Sequence, residues 1–380
     1  MLLYAAITAL LFLPYAIIIL IYRKWFLRLK PFNIPDQFIP QTHFTIIIPA
    51  RNEEMNIGNC LEGIFQQYYP SQLFEIIVID DHSTDTTAEI VLQLQNKFSN
   101  LKLIKLSDEL DGKALNSYKK KAIEKAIGYA NGDWIITTDA DCMVSNKWLL
   151  SYAAIIQKED PVFVAAPVAF TTKKNILSVF QYLDFMCLQG ITAASVSAGF
   201  HTMCNGANLA YRKDAFYSVN GFKGIDTIAS GDDMLLMNKI KKRFPSSISF
   251  LFSKEAIVFT HPMKTWKDFF NQRIRWASKA DKYKDKSILS VLILVYFYNL
   301  LLFVMPFLAL IQLHFLWAWL ILIVLKTLVE ITFVLPVGKF FGKTYITWFP
   351  FMEPLHISYT VIAGWLGKFG SYQWKGRNVK

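Results

Sequence analysis

Two kinds of apolar run divide the chain. Long apolar runs lie near its ends: residues 2–22, which are uncharged, then 288–313 and 315–335, the last two separated by little more than His314. Each is long enough to cross a bilayer at about 20 residues per crossing, and the close pair predicts a tight hairpin. Residues 345–366 are also apolar but contain Pro350, Glu353, Pro354 and His356. That interruption predicts a broken or re-entrant segment, because irregular backbone is tolerated at membrane depth where protein buries it. Between the long runs lie short β-branched ones, at 44–49, 74–79, 101–104 and 134–136, each followed by a polar turn and a helical stretch. Ser83, Thr84 or Asp85 is placed to cap the helix after the second run. G-K-A-L-N (112–116) opens a Lys-rich helix running to about Gly128. Strands alternating with helices predict an α/β domain with a parallel sheet, whose ligand site lies outside the carboxyl ends of the strands. Asp80, Asp81, Asp139 and Asp141 all fall at such ends.

Charge sets the orientation. The chain has 380 residues, is 53% hydrophobic and carries a net charge of +11, a balance unusual for a soluble enzyme. Arg23, Lys24, Arg28 and Lys30 follow the first apolar run, whereas a signal peptide carries its charge before the run. The reading is an uncleaved anchor with its N-terminus outside and the following domain in the cytosol. Lys339 and Lys343 return the chain to the cytosol, and Lys368, Lys375, Arg377 and Lys380 keep the tail there. This describes a multi-pass protein of the plasma or inner membrane, with no sign of a nucleic-acid partner. The expected divisions are an anchor (1–22), a basic, Pro-containing linker (23–43), a catalytic domain (44–263), an amphipathic interface segment (264–287), a membrane region (288–367) and a basic tail (368–380). Residues 264–286 hold eight basic residues against three acidic ones, interleaved with Trp266, Phe269, Phe270 and Trp276, as suits a helix on an anionic leaflet. Cys60, Cys142, Cys187 and Cys204 show no C-x-x-C spacing and are expected to be reduced and packed.

The sharpest chemical signal is D-A-D at 139–141. Carboxylates at i and i+2 beyond a strand can converge on one hard divalent cation, Mg²⁺ or Mn²⁺, which commonly arrives with a nucleotide diphosphate. Taken alone, the triplet is also compatible with a solvated turn. Inside the run 315–335, Lys326 and Glu330 share a helix face at i, i+4 spacing. They either pair with each other or line a path for a polar acceptor, since ionisable residues at membrane depth are by default functional.

Seven motifs in order give the chain a resemblance: P-A-R-N-E (49–53), V-I-D-D-x-S-T-D (78–85), G-K-A-L-N, D-A-D, C-N-G-A-N-L-A-Y-R (204–212), G-D-D-M-L-L (231–236) and Q-R-I-R-W (272–276). Over residues 44 to about 276 the chain resembles the family 2 glycosyltransferases, which have the Rossmann-like, nucleotide-sugar-binding GT-A fold. The resemblance implies that Asp141 holds the metal and that Asp139 holds the ribose or supports the metal. It implies that Asp81, beside Asp80, accepts the imide hydrogen of a uracil-type base, with Pro49, Arg51 and Glu53 lining the nucleotide pocket. Lys113 is a phosphate or ribose contact or, equally, a solvated lysine ahead of Lys119, Lys120 and Lys121. Asp233 matches the general base of the family's E-D-x-x-L pattern, giving inversion at the anomeric carbon; Asp232 departs from the usual Glu. Gly206 and Asn208 are expected on the acceptor side. Gln272, Arg273, Arg275 and Trp276 match the Q-x-x-R-W signature of β-glycan synthases, with an arginine on the diphosphate and the tryptophan on the acceptor sugar. The expected function is transfer of a sugar, from UDP by the implied base, to a lipid or lipid-linked acceptor. The alternatives are a processive synthase that extrudes its polymer and an inactive nucleotide-sugar-binding or transport protein.

Overall fold

The computed structural model describes residues 2–110, 117–228, 231–282, 285–342, 344–370, 372–374 and 377–379. The chain forms two compact units that interleave in sequence. One comprises Met1–Leu29, Thr172–His201 and Pro262–Lys380, the other Lys30–Thr171 and Thr202–His261. Its elements begin with α1 (Leu2–Arg28), β1 (Phe44–Ala50), α2 (Ile57–Phe65), β2 (Phe74–Asp80), α3 (Thr87–Gln95), β3 (Leu101–Lys105) and α4 (Tyr118–Tyr129). There follow β4 (Trp134–Thr137), α5 (Trp148–Glu159), β5 (Phe163–Ala165), β6 (Val168–Phe170), α6 (Ile176–Ser197), β7 (Leu209–Arg212) and α7 (Lys213–Ser218). The last are α8 (Met234–Arg243), β8 (Ile248–Phe250), β9 (Val258–Thr260), α9 (Trp266–Ala277), α10 (Lys286–Ala309), α11 (His314–Phe341) and α12 (Phe349–Phe369).

The second unit is built on a seven-stranded sheet in the order β3-β2-β1-β4-β7-β5-β8. Strands β1 to β4 pair in parallel. Being covered on both faces, they read as unbroken apolar runs: Ile46, Ile47, Ile48, Ile76, Ile77, Val78, Ile79, Ile135 and Ile136 have no exposed surface. The expected all-parallel sheet needs one correction. Strand β7 runs antiparallel to both β4 and β5, with Leu209 opposite Thr137. That reversal lets the loop entering β7 reach the same sheet edge as the loops leaving β1, β2 and β4. A separate parallel pair joins β6 to β9.

The other unit is helical. Among the described residues four of its helices, α1, α6, α10 and α11, are long and apolar enough to cross a membrane. The expected hairpin is present as α10 and α11, although α11 continues past Pro336 to Phe341, so 338–341 is helix and not loop. Residues 345–366 are not broken: a short 3₁₀ turn leads into α12, which is continuous through Pro354. The stretch assigned to one catalytic domain, 44–263, is also divided, because Thr172–His201 groups with the helical unit. Helix α6 carries Gln181, Asp184 and Gln189, all buried within the protein, which obscured it as a membrane-length segment. Helix α1 extends through Arg28, into the expected linker.

Close packing against main chain is exacting where Gly132 leads into β4. A Cβ at this position would stand 2.6 Å from the main chain of Phe44 and Thr45, and backbone in a sheet centre cannot retreat. Gly132→Ala is expected to destabilise the sheet unit by about 1–3 kcal/mol, read as a lowered denaturant midpoint at unchanged slope.

Candidate functional site

The site residues of the sheet unit gather along the edge where β1, β2 and β4 end. Beyond β1 and β2 the loops are stitched together. Asp81 N–H donates to Ala50 O at 2.8 Å, and Arg51 Nη1 donates to Asp81 O at 2.9 Å. Asn52, in the left-handed region at φ 52°, accepts from Thr84 N–H at 2.8 Å. Glu54 accepts from Thr86 N–H, and Asp85 Oδ1 receives Thr87 N–H at the start of α3. Asp80 is turned inward, with its carboxylate accepting Ser83 N–H at 3.2 Å; it shapes the turn. Asp81 is 4% exposed, its Oδ1 3.0 Å from His82 Nδ1 and 3.9 Å from Arg51 Nη1. Pro49 and Glu53 flank this turn, and Glu53 Oε2 accepts from Asn56 Nδ2.

Beyond β4, charge is concentrated. Lys119, near the start of α4, donates to Asp139 Oδ1 at 2.8 Å and stands 3.4 Å from Asp232 Oδ2. Burial acts to lower the Lys119 pKa, but Asp139, Asp232 and Asp233 together outweigh it and hold the ammonium charged. Asp141 Oδ2 accepts from Thr260 Oγ1 at 3.0 Å. Its pKa is raised, first by burial and then by the charges of Asp139 and Glu53. Sequence reading missed Lys119, which lies in a run of three lysines and gains meaning only through a contact 20 residues away. Lys113 lies outside the described residues.

The donor set fits a divalent cation. Asp139 and Asp141 offer hard carboxylate oxygens, and the charge crowding on Asp141 is the kind a cation relieves. Among the described residues no group of three or more His, Cys, Asp and Glu side chains is placed to hold a metal. An open site completed by phosphate oxygens and water is therefore the arrangement that these two carboxylates suit. Cys60 and Cys142 lie beneath the loop; burial pushes the Cys60 thiol up to about 12 and Cys142 well above its usual range, so both stay protonated.

The loop into β7 completes the edge. Thr137 Oγ1 donates to Gly206 O at 2.8 Å, and Gly206 N–H donates to Asp233 Oδ2 at 3.1 Å. A Cβ on Gly206 would meet Asp232 Oδ2 at 3.3 Å and Lys119 Nζ at 3.5 Å, so the glycine lets main chain approach the charge cluster. The other Asp233 oxygen caps α8 by accepting Met234 N–H at 2.7 Å. Asn208 is a correction. It has no exposed surface, and all its hydrogen-bonding capacity is used internally. Oδ1 accepts from Trp148 Nε1 and Tyr152 OH, and Nδ2 donates to Pro167 O and Ala256 O. Asn208 locks the core behind the site and has nothing left to offer an acceptor.

In the helical unit, Q-R-I-R-W lies on α9, which Thr265 starts by accepting Asp268 N–H. Arg273 is a second correction. It is 3% exposed, donates to Asp184 Oδ2 at 2.8 Å and to Gln272 Oε1 at 2.7 Å, and lies 4.3 to 4.7 Å from the Trp276 and Phe269 rings. A guanidinium enclosed in this way is committed to its own helix packing and is not available to a diphosphate. Trp276 likewise gives a ring face to Arg273. Arg275, the arginine that immediately precedes the tryptophan in the signature, is half-buried.

Comparison with known proteins gives the family and the fold. A model described as glycosyl transferase family 2 matches residues 45–218, and one described as glycosyl transferase family group 2 matches residues 134–348, over half of the chain. The chain is 27% identical over 237 residues to the probable glycosyltransferase YdaM of Bacillus subtilis (strain 168), covering 61% of this chain and 54% of that protein. It thus spans about half the length of that relative. It is 30% identical over 115 residues to the beta-monoglucosyldiacylglycerol synthase of Nostoc sp. (strain PCC 7120 / SAG 25.82 / UTEX 2576), 30% of this chain and 24% of that one. Among solved structures, the mannosyltransferase PcManGT from Pyrobaculum calidifontis, in complex with GDP-Man and Mn²⁺, matches with a TM-score of 0.60 at 17% identity, covering 96% of this chain and 97% of that one. The fold is the expected GT-A type.

The two readings of Asn208 separate by experiment. Asn208→Ala removes four buried hydrogen bonds, each worth about 1 kcal/mol or more, and leaves Trp148 Nε1 and Tyr152 OH without the acceptor they share, so thermal stability is expected to fall sharply. An acceptor-side role would instead raise the acceptor KM in a protein of normal stability.

Proposed function

The chain belongs to glycosyl transferase family 2, and on that premise we propose that it transfers a sugar from a nucleotide-diphosphate donor, with uracil as the base, to a lipid or lipid-linked acceptor. The observation that carries the reading is the single charge cluster in which Lys119 joins Asp139, of the D-A-D loop, to Asp232, of the G-D-D loop. Donor-side and acceptor-side carboxylates stand together there, as a displacement at one carbon requires. The lipid acceptor is supported by four helices of membrane-crossing length and hydropathy and by a relative whose name is that of a glycolipid synthase.

In this mechanism Asp141 and Asp139 would hold Mg²⁺ or Mn²⁺, which would supply positive charge to neutralise the leaving diphosphate. Asp81, its carboxylate steadied by Arg51 and His82, receives the imide hydrogen of the base. Lys119 keeps Asp139 and Asp232 from repelling each other as the anionic donor enters. Asp233 takes the proton of the acceptor hydroxyl, which attacks the anomeric carbon from the face opposite the diphosphate and inverts it. Its orientation comes from Gly206 N–H and Met234 N–H, which each occupy one lone pair and leave others for the proton. Q-R-I-R-W supports a processive synthase as the second reading. Incubating membranes with a panel of radiolabelled nucleotide sugars and sizing the product distinguishes them: a single-sugar lipid extract supports the first, a polymer the second, and no transfer from any donor refutes both.

Asp141→Asn keeps the side-chain shape and removes the ligand charge. Turnover is expected to fall on the order of a hundredfold or more, and chelator should mimic the loss in the unmodified protein. Full activity of the variant in excess chelator would remove the metal from the mechanism.

Asp233→Asn is expected to retain nucleotide binding while transfer falls by roughly 10² to 10⁴. Should Asp232→Asn be the inactive variant and Asp233→Asn the active one, the base is Asp232 and Asp233 serves only the α8 cap.

A further inference from the structure

Length and hydropathy put α6 with the crossing helices, but its neighbours place it differently. The cytosolic ends of the other three are marked by charge: Arg23, Lys24 and Arg28 close α1, Lys282 and Lys286 open α10, and Lys339 closes α11. Midway along α11, Lys326 donates to Glu330 Oε1 at 2.7 Å and to Glu353 Oε2 on α12, which marks the depth that a crossing α6 would have to pass. Such a helix would have one end at the charged level and the other about 30 Å away, beside Leu310 and His314.

Both ends of α6 are instead at the charged level. At its start, the Tyr182 hydroxyl donates to Gly342 O at 3.0 Å, just beyond the last turn of α11. Gln181 exchanges two hydrogen bonds with the main chain of Met263, ahead of α9. At its finish, His201 Nε2 stands 2.7 Å from the Tyr22 hydroxyl, within the last two turns of α1, and His201 Nδ1 stands 3.0 Å from Oγ of Ser287, the second residue of α10. The rings of Phe200 and Trp25 pack at 5.1 Å. Between these ends a Cβ on Gly190 would stand 2.6 Å from Val337, which is roughly 16 Å further along α11 than Lys326.

Chain order agrees. Strands β5 and β6 precede α6 and β7 follows it, yet β5 and β7 pair in one sheet, with Val164 opposite Ala210. A crossing at α6 would have to be undone by residues 198–208, which are irregular, and irregular backbone does not traverse hydrocarbon unprotected. Charge agrees too. Lys173 and Lys174 stand ahead of α6, and Lys279, Lys282 and Lys286 ahead of α10, so a crossing at α6 would leave one basic group outside.

We propose, on the reading in which α1, α10 and α11 cross the bilayer, that α6 does not cross and lies at the cytosolic face as a brace joining the inner ends of those three helices. Four membrane-length helices thus give three crossings. Asp184 of α6, with Arg273, His356 and Tyr359 as partners, then sits toward the interface and away from the bilayer centre, where ionised groups are most costly.

Single cysteines in the full chain, labelled in membrane vesicles with an impermeant maleimide and read against the unmodified protein, test this. Lys173→Cys, before α6, and Ser197→Cys, at its last residue, are exposed positions. Both are expected to label in inverted vesicles and not in right-side-out ones, and Gln312→Cys, between α10 and α11, to do the reverse. Either α6 position labelled from outside, with Gln312→Cys also labelled from outside, overturns the proposal and leaves the crossing hairpin standing. Gln312→Cys labelled only in inverted vesicles removes the hairpin, and with it both the membrane reading and the proposal. Lys174→Cys and Ala198→Cys take the place of a first variant that is not produced.

Discussion

Carboxylates crowded at one sheet edge repel, and the arrangement of the sheet unit depends on the Lys119 ammonium placed among them. Unit charges about 4 Å apart interact by about 4 kcal/mol at the effective dielectric of a protein surface, so Asp139 and Asp232 could not face each other unaided. Lys119 between them lets the loop after β4 and the loop before α8 converge. Gly206 is small because its main chain lies against this pair. Thr137 and Asp233 then hold Gly206 from either side. Burial first, and then the charges of Asp139 and Glu53, leave Asp141 with a raised pKa.

The helical unit solves a similar problem by enclosure. Arg273 and Asp184 are withdrawn from water together, and the rings of Phe269 and Trp276 cover the guanidinium. Such a pair contributes modestly to net stability but is costly to break, because either partner left alone is a buried charge. Its value to α9 is therefore orientation: the helix cannot rotate without exposing the pair.

How much of this could be read from the sequence follows from the range of the interactions. Strands β1 to β4 were legible because burial on both faces makes each an unbroken apolar run. Strand β7 was not, since its four residues form a strand only between neighbours that come from elsewhere in the chain. Asp139 and Asp141 stood out by their own spacing, whereas Lys119 is one of three adjacent lysines and only its long-range contacts distinguish it. Asn208 was misassigned for the converse reason. It sits in a motif beside the site, but its amide is aimed at Trp148 and Tyr152 in the core, and motif position does not show which way a side chain points. Arg273 and Arg275 could not be separated by composition, because enclosure by α6 and α12 is what distinguishes them. Glu330 was placed with Lys326, while Glu353, from another helix, was beyond any periodicity.

The position of β7 in the sheet has a consequence for how the chain is made. Strands β4 and β5 have both been synthesised by residue 165, yet the strand that lies between them comes after α6, and the partners of β5 and β6, β8 and β9, come later still. At 5–20 residues per second, about 95 further residues take roughly 5 to 20 s. For that interval the sheet has open edges of Val, Ala and Phe, while a helix of membrane-crossing length emerges. Unpaired apolar edges are templates for aggregation, and the order of synthesis leaves these edges without their partners until β7, β8 and β9 have followed.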